Sequence, residues 1–187
     1  MNQFEIVAAA FGIVSVFLST RQNVWSWPTS LVNVTMSAFV YFRQGLYATM
    51  ALQAIFAAIS IYGWYEWLFG GKNKTELKVT RIPPGLRTLL IVLTAVATMV
   101  MWYVLSEYTP DSHPLIDTVF FTVSVTAQWM MARKYVECWP VWIALNCIAV
   151  PFFFIIRSYP FMIQYGVFLV LAVMGWRYWK ASLVASS

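Results

Sequence analysis

Seven apolar runs, each close to the length of a bilayer crossing, dominate this sequence. A transmembrane helix needs about 20 predominantly apolar residues, and Pro, Gly and clustered basic residues separate the runs. The runs cover residues 4–20, 27–42, 47–69, 87–106, 115–132, 139–157 and 160–179. We therefore predict an all-α membrane protein whose seven transmembrane helices lie in a lipid bilayer.

The composition excludes ordinary soluble proteins. Of the 187 residues, 61% are hydrophobic and 10% are charged, whereas roughly a quarter of the residues in soluble domains are charged. The net charge of +5 comes from Lys and Arg that flank apolar runs, where they set orientation, so we expect no nucleic-acid partner. Cys138 and Cys147 lie about 13 Å apart along one predicted helix, too far for a disulfide, and are expected to be free thiols.

The distribution of basic residues predicts the orientation. With seven spans the two termini face opposite sides of the membrane. Of the 12 Lys and Arg residues, only Arg43 and Arg157 fall on the N-terminal side. Because cytoplasmic loops are enriched in Lys and Arg, we predict an outside N-terminus and a cytoplasmic C-terminus. The loop "GGKNKTELKVTRIPPG" is then cytoplasmic and "SEYTPDSHP" is outside.

The chain also repeats itself at an offset of 112 residues. The offset places Arg21 over Arg133, Trp27-Pro28 over Trp139-Pro140, Gly63-Trp64 over Gly175-Trp176 and Trp67 over Trp179; one inserted residue brings Asn33 onto Asn146. Helices one to three therefore recur as five to seven, in the same orientation, with helix four as a spacer. We predict a 3+1+3 parallel repeat with boundaries at 1–70, 71–114 and 115–187. Transporters with such repeats bind their substrate between the halves.

A stripe on the predicted sixth helix is the first candidate for the binding site. Trp139, Trp142 and Asn146 share one helical face. A tryptophan at a helix end is equally typical of the interfacial belt. An amide inside a membrane helix either bonds a neighbouring helix or contacts a ligand, and both readings stay open for Asn146 and for its counterpart Asn33.

Further candidates come from helices three, five and seven. Gln128 ends a stripe on helix five that begins at Asp117, which we expect to be structural. Gln53 lies well inside the third span. Tyr165 falls on Gln53 at the repeat offset, and Gln164 is adjacent to Tyr165. Tyr62 and Trp64 each belong either to the binding site or to the interfacial belt.

Other functional classes find little support. An embedded enzyme needs clustered carboxylates or a nucleophile and base within the spans, but the acidic residues lie mostly at helix ends and in loops. The one histidine, His113, has no second metal ligand beside it. We predict that the protein is not an enzyme and has no catalytic residues, metal or cofactor. The parallel repeat argues against a seven-helix receptor, and the lack of a mid-membrane carboxylate favours passive transport.

Two longer segments carry a family resemblance. They are "YFRQGLYATMALQAIFAAISIYGWYEW" and "ARKYVECWPVWIALN", the second with a basic pair, an acidic residue and a Trp-x-x-Trp-x-x-x-Asn motif. The chain resembles, from about Trp25 to Trp179, the PnuC family of bacterial vitamin transporters, best known for nicotinamide riboside. The resemblance implies a fold related to the SWEET sugar transporters, a homotrimer in the bacterial inner membrane, and facilitated diffusion without ion coupling. It also implies trapping of the vitamin by intracellular phosphorylation.

The resemblance assigns the motif residues Trp139, Trp142 and Asn146 to the ligand. The pyridinium ring of nicotinamide riboside can stack on indole faces, and its hydroxyls can bond amides. Thiamine fits the same description and is carried by close relatives. Two features depart from the family: Cys138 stands where Asn is frequent, and "RSYPFMIQYG" is an unusual entry to the seventh helix. We expect nicotinamide riboside as the substrate, with thiamine or another aromatic vitamin as the alternative.

Overall fold

A computed structural model describes residues 3–43, 47–108 and 114–185, which form seven α-helices and one short 3₁₀ turn at Lys72–Lys74. The α-helices are α1 (Gln3–Thr20), α2 (Ser26–Arg43), α3 (Tyr47–Phe69), α4 (Pro84–Tyr108), α5 (Pro114–Ala132), α6 (Cys138–Ile155) and α7 (Tyr159–Ala185). The predicted all-helical fold is confirmed. Asp111 and His113 lie outside the described residues.

The helix ends follow from local backbone chemistry. Pro84 and Pro114 are the first residues of α4 and α5, where the missing N–H would have no intrahelical partner. Gln22, Lys134 and Arg157 have φ angles of 56°, 50° and 57°, and each lies just after a helix. A left-handed residue at that place ends a helix and turns the chain.

Six of the helices form a closed ring. Going round the ring, α1 contacts α2, α2 contacts α3, α3 contacts α5, α5 contacts α6, α6 contacts α7, and α7 returns to α1. Among the described residues α4 contacts α5 alone, where hydroxyl pairs join Thr94 to Thr126 at 2.8 Å and Thr98 to Thr122 at 2.7 Å. The fourth helix is therefore peripheral to the ring.

The ring is a membrane structure. By length and composition, α4, α5, α6 and α7 are each long and apolar enough to cross a bilayer, and Ile6–Thr20 is a shorter apolar helix. Large apolar side chains point outward, such as Ile91 and Met99 on α4. A surface of this kind is stable only against lipid or another protein. The protein is a multi-pass membrane protein.

One end of the ring, which we call the loop end, carries segments 21–25, 70–83 and 133–137. Here Trp27 meets Trp67 edge to face at 5.3 Å between ring centroids, and Trp139 meets Trp179 in the same way at 5.4 Å. The six-membered ring of Trp27 lies against Gly63, and that of Trp139 lies against Gly175. Each contact recurs 112 residues later in the chain.

Two tryptophan hydrogen bonds at the loop end join helices α1 and α3 to helices α7 and α5. The indole N–H of Trp67 on α3 donates to the carbonyl of Met131 on α5 at 3.1 Å, and that of Trp179 on α7 donates to the carbonyl of Ser19 on α1 at 3.0 Å. Trp67 and Trp179 also contact each other at 5.9 Å, although they lie on helices that are not neighbours in the ring. Both indoles are buried, so they close the centre of the ring at this end.

Candidate functional site

The α6 stripe lies at the start of its helix. Trp139 and Asn146 are buried. Trp142 is half-buried and packs on the buried cluster that contains the four tryptophans of the loop end, which we call the tryptophan core. The side-chain amide nitrogen of Asn146 donates to the carbonyl of Trp142 at 2.8 Å, within α6. This bond fixes the amide, because only its nitrogen can face a carbonyl oxygen.

Two indole N–H groups of the stripe have no hydrogen-bond partner in the described part of the chain. The Nε1 atoms of Trp139 and Trp142 are buried and make no hydrogen bond with any described residue. The Nε1 atom of Trp27, the counterpart of Trp139, is in the same condition. A buried donor without an acceptor costs about 1–3 kcal/mol, so native proteins rarely leave one unexplained. These donors suit an acceptor that the polypeptide does not provide, such as a ligand oxygen.

The structure places Asn33 differently from Asn146. Its side-chain nitrogen on α2 donates to the carbonyl of Ala8 on α1 at 2.6 Å. Gly12 makes this approach possible, because a Cβ on that residue would lie 3.1 Å from the same nitrogen. Asn33 therefore serves as a link between two helices, one of the two roles that the sequence left open.

Tyr62 and Trp64 lie toward the loop end of α3. The Tyr62 hydroxyl accepts a hydrogen bond from the Arg133 guanidinium at 3.2 Å. Trp64 is 38% exposed, as expected for a residue of the interfacial belt. Tyr62 belongs to a polar network between α3 and the segment after α5.

The remaining predicted residues lie on other parts of the ring helices. Gln53, Gln128 and Gln164 are half-buried and make no hydrogen bond with another described residue. Tyr165 stacks on Phe153 at 5.1 Å and lies 6.4 Å from Phe120. Among the described residues, no hydrogen bond or ring contact joins these four side chains to the α6 stripe. Their place in one site with Trp142 stays a prediction.

Sequence reasoning missed the partners of the basic pair after α5. Arg133 pairs with Glu66 at 2.8 Å, and Lys134 pairs with Glu76 at 3.0 Å. The Lys134 ammonium also lies 4.6 Å from the Trp67 ring. Burial lowers the pKa of Lys134, and the Glu76 carboxylate opposes that effect. The basic pair was visible in the sequence as an orientation signal, but nothing there identified its two acidic partners.

A groove lies away from the α6 stripe. It has a volume of about 380 Å³ and is lined by side chains of α3, α4 and α5, including Leu90, Thr94, Thr126 and Trp129. None of the predicted site residues lines it. The groove therefore belongs to the contact of the peripheral helix with the ring.

The helical ring and its apolar outer surface define a multi-pass membrane protein. The chain belongs to the family described as nicotinamide mononucleotide transporter, which matches residues 2–181. The resemblance to the PnuC family is thus confirmed, and the protein is a membrane transporter rather than an enzyme.

Individual relatives agree with this family. The nicotinamide riboside transporter PnuC of Escherichia coli (strain K12) is 31% identical over 204 residues, a match that covers 96% of this chain and 85% of the relative. The riboflavin/roseoflavin transporter RibM of Streptomyces davaonensis is 27% identical, with 94% and 83% covered. A crystal structure of the vitamin B3 transporter PnuC superposes with a TM-score of 0.78 at 23% identity, covering 98% of this chain and 83% of that one. The last comparison shows the shared fold.

Proposed function

We propose that this protein imports nicotinamide riboside by facilitated diffusion. The observation that carries the proposal is the α6 stripe, with the fixed amide of Asn146 and two buried indole N–H groups that find no acceptor among the described residues. The riboside offers hydroxyl oxygens to those donors and a cationic ring to the indole faces, where cation–π attraction contributes about 0.5–2 kcal/mol. The relative that transports nicotinamide riboside is 31% identical.

We further infer that the substrate is bound between two three-helix repeats, 1–70 and 115–187, with the loop and linker helix of 71–114 between them. Two observations support a 3+1+3 parallel repeat of the SWEET type. The first is that the tryptophan–glycine contacts recur at an offset of 112 residues. The second is that each helix contact in the ring has an equivalent in the other repeat: α1–α2 corresponds to α5–α6, α2–α3 to α6–α7, and α1–α7 to α5–α3. Gln53, Gln128, Tyr62, Trp64, Gln164 and Tyr165 are the further proposed contacts, whereas Asn33 links α2 to α1 through its amide nitrogen.

We also propose that the chain crosses the membrane seven times, with its N-terminus outside and its C-terminus in the cytoplasm. The protein then forms a homotrimer in the bacterial inner membrane. The excess of Lys and Arg on the side of the loop end supports this orientation. Passive transport is supported by the acidic residues Glu66 and Glu107, which lie near helix ends. Accumulation in the cell then depends on phosphorylation of the vitamin inside.

The test is a binding titration of purified protein with the riboside. Trp142→Ala should weaken binding by roughly ten- to a hundredfold, equal to about 1–3 kcal/mol, and Trp142→Phe should weaken it less. Asn146→Leu should abolish binding while the protein still purifies as the same oligomer, because a membrane helix accepts Leu. Trp102→Ala, which removes an exposed tryptophan from the peripheral α4, is the matched control and should bind normally. Poor folding of Asn146→Leu with normal affinity in the surviving protein would show that the amide is structural.

A flavin is the second candidate substrate, because a relative at 27% identity transports riboflavin and roseoflavin. The same titration run with riboflavin and with thiamine separates the three vitamins. A preference for riboflavin or thiamine over the riboside would overturn the first proposal, and the same variants would then test the site with the preferred vitamin.

A further inference from the structure

The two halves of the ring meet along two seams that occupy equivalent positions. One is the contact of α3 with α5, and the other is the contact of α7 with α1. Each contains a tryptophan hydrogen bond, from Trp67 to Met131 in the first seam and from Trp179 to Ser19 in the second. Because the residues of one seam lie 112 positions from those of the other, any further contact can be compared position by position.

The α3–α5 seam carries charged contacts at the loop end. Glu66 pairs with Arg133 at 2.8 Å, and Glu76 pairs with Lys134 at 3.0 Å. Lys134 is 1% exposed, and its ammonium contacts both the Glu76 carboxylate and the Trp67 ring. A buried charge that loses its partner is strongly destabilising unless water reaches it.

A segment that we call the strap, residues 75–83, crosses this seam. It is tied to α3 where the Leu77 N–H donates to the carbonyl of Trp67 at 3.2 Å. On the other side, Thr80 N–H donates to Lys134 carbonyl and Val136 N–H donates to Thr80 carbonyl, both at 3.0 Å. The Glu137 carboxylate accepts from the Ile82 N–H at 3.0 Å.

The strap also contributes apolar contacts. Val79 and Ile82 are buried in the tryptophan core of the loop end. Separating α3 from α5 there would expose buried apolar surface of the strap to water and break its hydrogen bonds either to α3 or to residues 134–137. We name this contact the strapped seam.

The α1–α7 seam has weaker contacts at the same positions. Tyr178 stands where the strapped seam has Glu66, and Arg21 lies 5.4 Å from its ring instead of in an ion pair. Gln22 stands in place of Lys134 and donates to the Ser182 hydroxyl at 3.1 Å. Ser182 corresponds to Gly70, the residue after the end of α3, whereas α7 continues as helix to Ala185. We name this contact the unstrapped seam.

We propose that the transporter opens its loop end by moving α7 away from α1, while the strapped seam stays closed and acts as the hinge. The movement separates Trp179 from both Ser19 and Trp67, which are the contacts that close the centre of the ring. It breaks one cation–π contact, the ring contact of Trp67 with Trp179 and uncharged hydrogen bonds. It leaves both ion pairs and the hydrogen bonds of the strap in place. The proposal rests on the proposed function only in taking the loop end as a mouth of the substrate path.

Cysteine labelling at two equivalent positions tests the hinge without any substrate. Ser19 and Met131 are each 5% exposed, and each supplies the carbonyl that accepts a tryptophan N–H in its seam. Ser19→Cys and Met131→Cys are made separately in a Cys138→Ala, Cys147→Ala background and purified in detergent. Each is then treated with a water-soluble maleimide, and its rate is divided by the rate of the same protein in denaturant.

We expect Ser19→Cys to react at least about tenfold faster than Met131→Cys, a ratio that corresponds to about 1.4 kcal/mol in the free energy of opening. Equal normalised rates, or faster labelling of Met131→Cys, would overturn the proposal. Thermal unfolding of both variants beside the cysteine-free background identifies a protein that reacts because it has lost its fold. In that case the crosslinking experiment below decides.

Crosslinking of equivalent pairs connects the hinge to transport. Arg21→Cys with Tyr178→Cys places thiols across the unstrapped seam, and Arg133→Cys with Glu66→Cys places them at the same positions across the strapped seam. Each pair is joined by a short, reducible bifunctional reagent, and riboside uptake into liposomes is measured before and after reduction. We expect the first crosslink to stop uptake until it is reduced, and the second to leave uptake unchanged.

The outcomes separate the two proposals. If both crosslinks stop uptake, or if only the strapped one does, or if neither does, the hinge assignment is wrong. If the reduced proteins take up no riboside at all, the substrate assignment fails, and the labelling ratio of Ser19→Cys to Met131→Cys still decides which seam opens.

Discussion

Replacing Gly63 by Ala should destabilise the protein, although alanine is the better helix former. Gly63 lies on α3 under the Trp27 ring, and a Cβ on this residue would come within 2.4 Å of two atoms of that ring. Carbon atoms in contact prefer about 3.5–4.0 Å, so the ring or the helix must move by about 1 Å. The ring has little room, because Trp27 is buried and meets Trp67 edge to face.

The magnitude follows from two opposing effects. Overpacking of a core costs typically about 1–3 kcal/mol, and we take the upper half of that range because three indole atoms lie within 2.8 Å of the added Cβ. Replacing a helical Gly by Ala gains up to about 1 kcal/mol. We expect a net loss of about 1–2 kcal/mol for Gly63→Ala.

The assay is thermal unfolding of purified protein, with Gly166→Ala as the matched control. Gly166 lies on α7, and a Cβ there would meet nothing within 4 Å, so this variant keeps the helix gain alone. At roughly 2–4 °C per kcal/mol for a chain of this size, the two variants should differ in Tm by roughly 4–12 °C. Adding Trp27→Phe to Gly63→Ala should recover part of the loss, because the contacting ring is smaller. Equal Tm values for Gly63→Ala and Gly166→Ala would refute this account of the contact.

Four other outcomes are expected. Burial lowers the pKa of Lys134 below its ordinary 10.5, so the unfolded chain binds this proton more tightly than the folded protein does. The free energy of unfolding should therefore rise with pH just below 10.5. Lys134→Met should remove that rise. Glu76→Gln should lower the Tm more than Lys134→Met does, because Glu76→Gln leaves the Lys134 ammonium buried and unpaired. The reverse order would show that Lys134 stabilises the protein through contacts other than its ion pair. In intact cells with Cys138 and Cys147 removed, an impermeant thiol reagent should label Asp111→Cys but not Lys74→Cys, and the opposite pattern would invert the topology. Uptake into liposomes should equilibrate and ignore sodium or proton gradients, and concentration above the outside level under an imposed gradient would exclude passive transport.

The helices were predictable because bilayer thickness acts on every span separately. An apolar run of about 20 residues is a helix whatever it contacts, and the seven predicted runs match α1 to α7 with small shifts at the ends. The largest shift is at α7, which continues to Ala185 past the predicted end at 179. The polar residues "RYWKAS" hid this extension, since a helix can leave the membrane without ending.

The contacts between halves were less predictable. The sequence repeats Trp27, Gly63 and Trp67 at an offset of 112, but it does not say that the first indole packs on the glycine and the second donates to the opposite half. Those partners are set by the crossing of helices far apart in the chain. The sequence of the strap predicts only a charged loop, because its buried residues, Val79 and Ile82, are isolated apolar positions among polar ones.

Asn33 and Asn146 show how a repeated residue can take two roles. The exact counterpart of Asn33 at an offset of 112 is Leu145, which is buried, and the one inserted residue turns Asn146 by about 100° around α6. The second half also lacks the space that Asn33 uses, because Ser124 stands in place of Gly12. Asn33 therefore reaches the Ala8 carbonyl on the next helix, while Asn146 bonds within its own helix. Because the hydrogen bond that Asn146 makes among the described residues lies within α6, we expect its replacement by Leu to affect ligand binding more than helix packing.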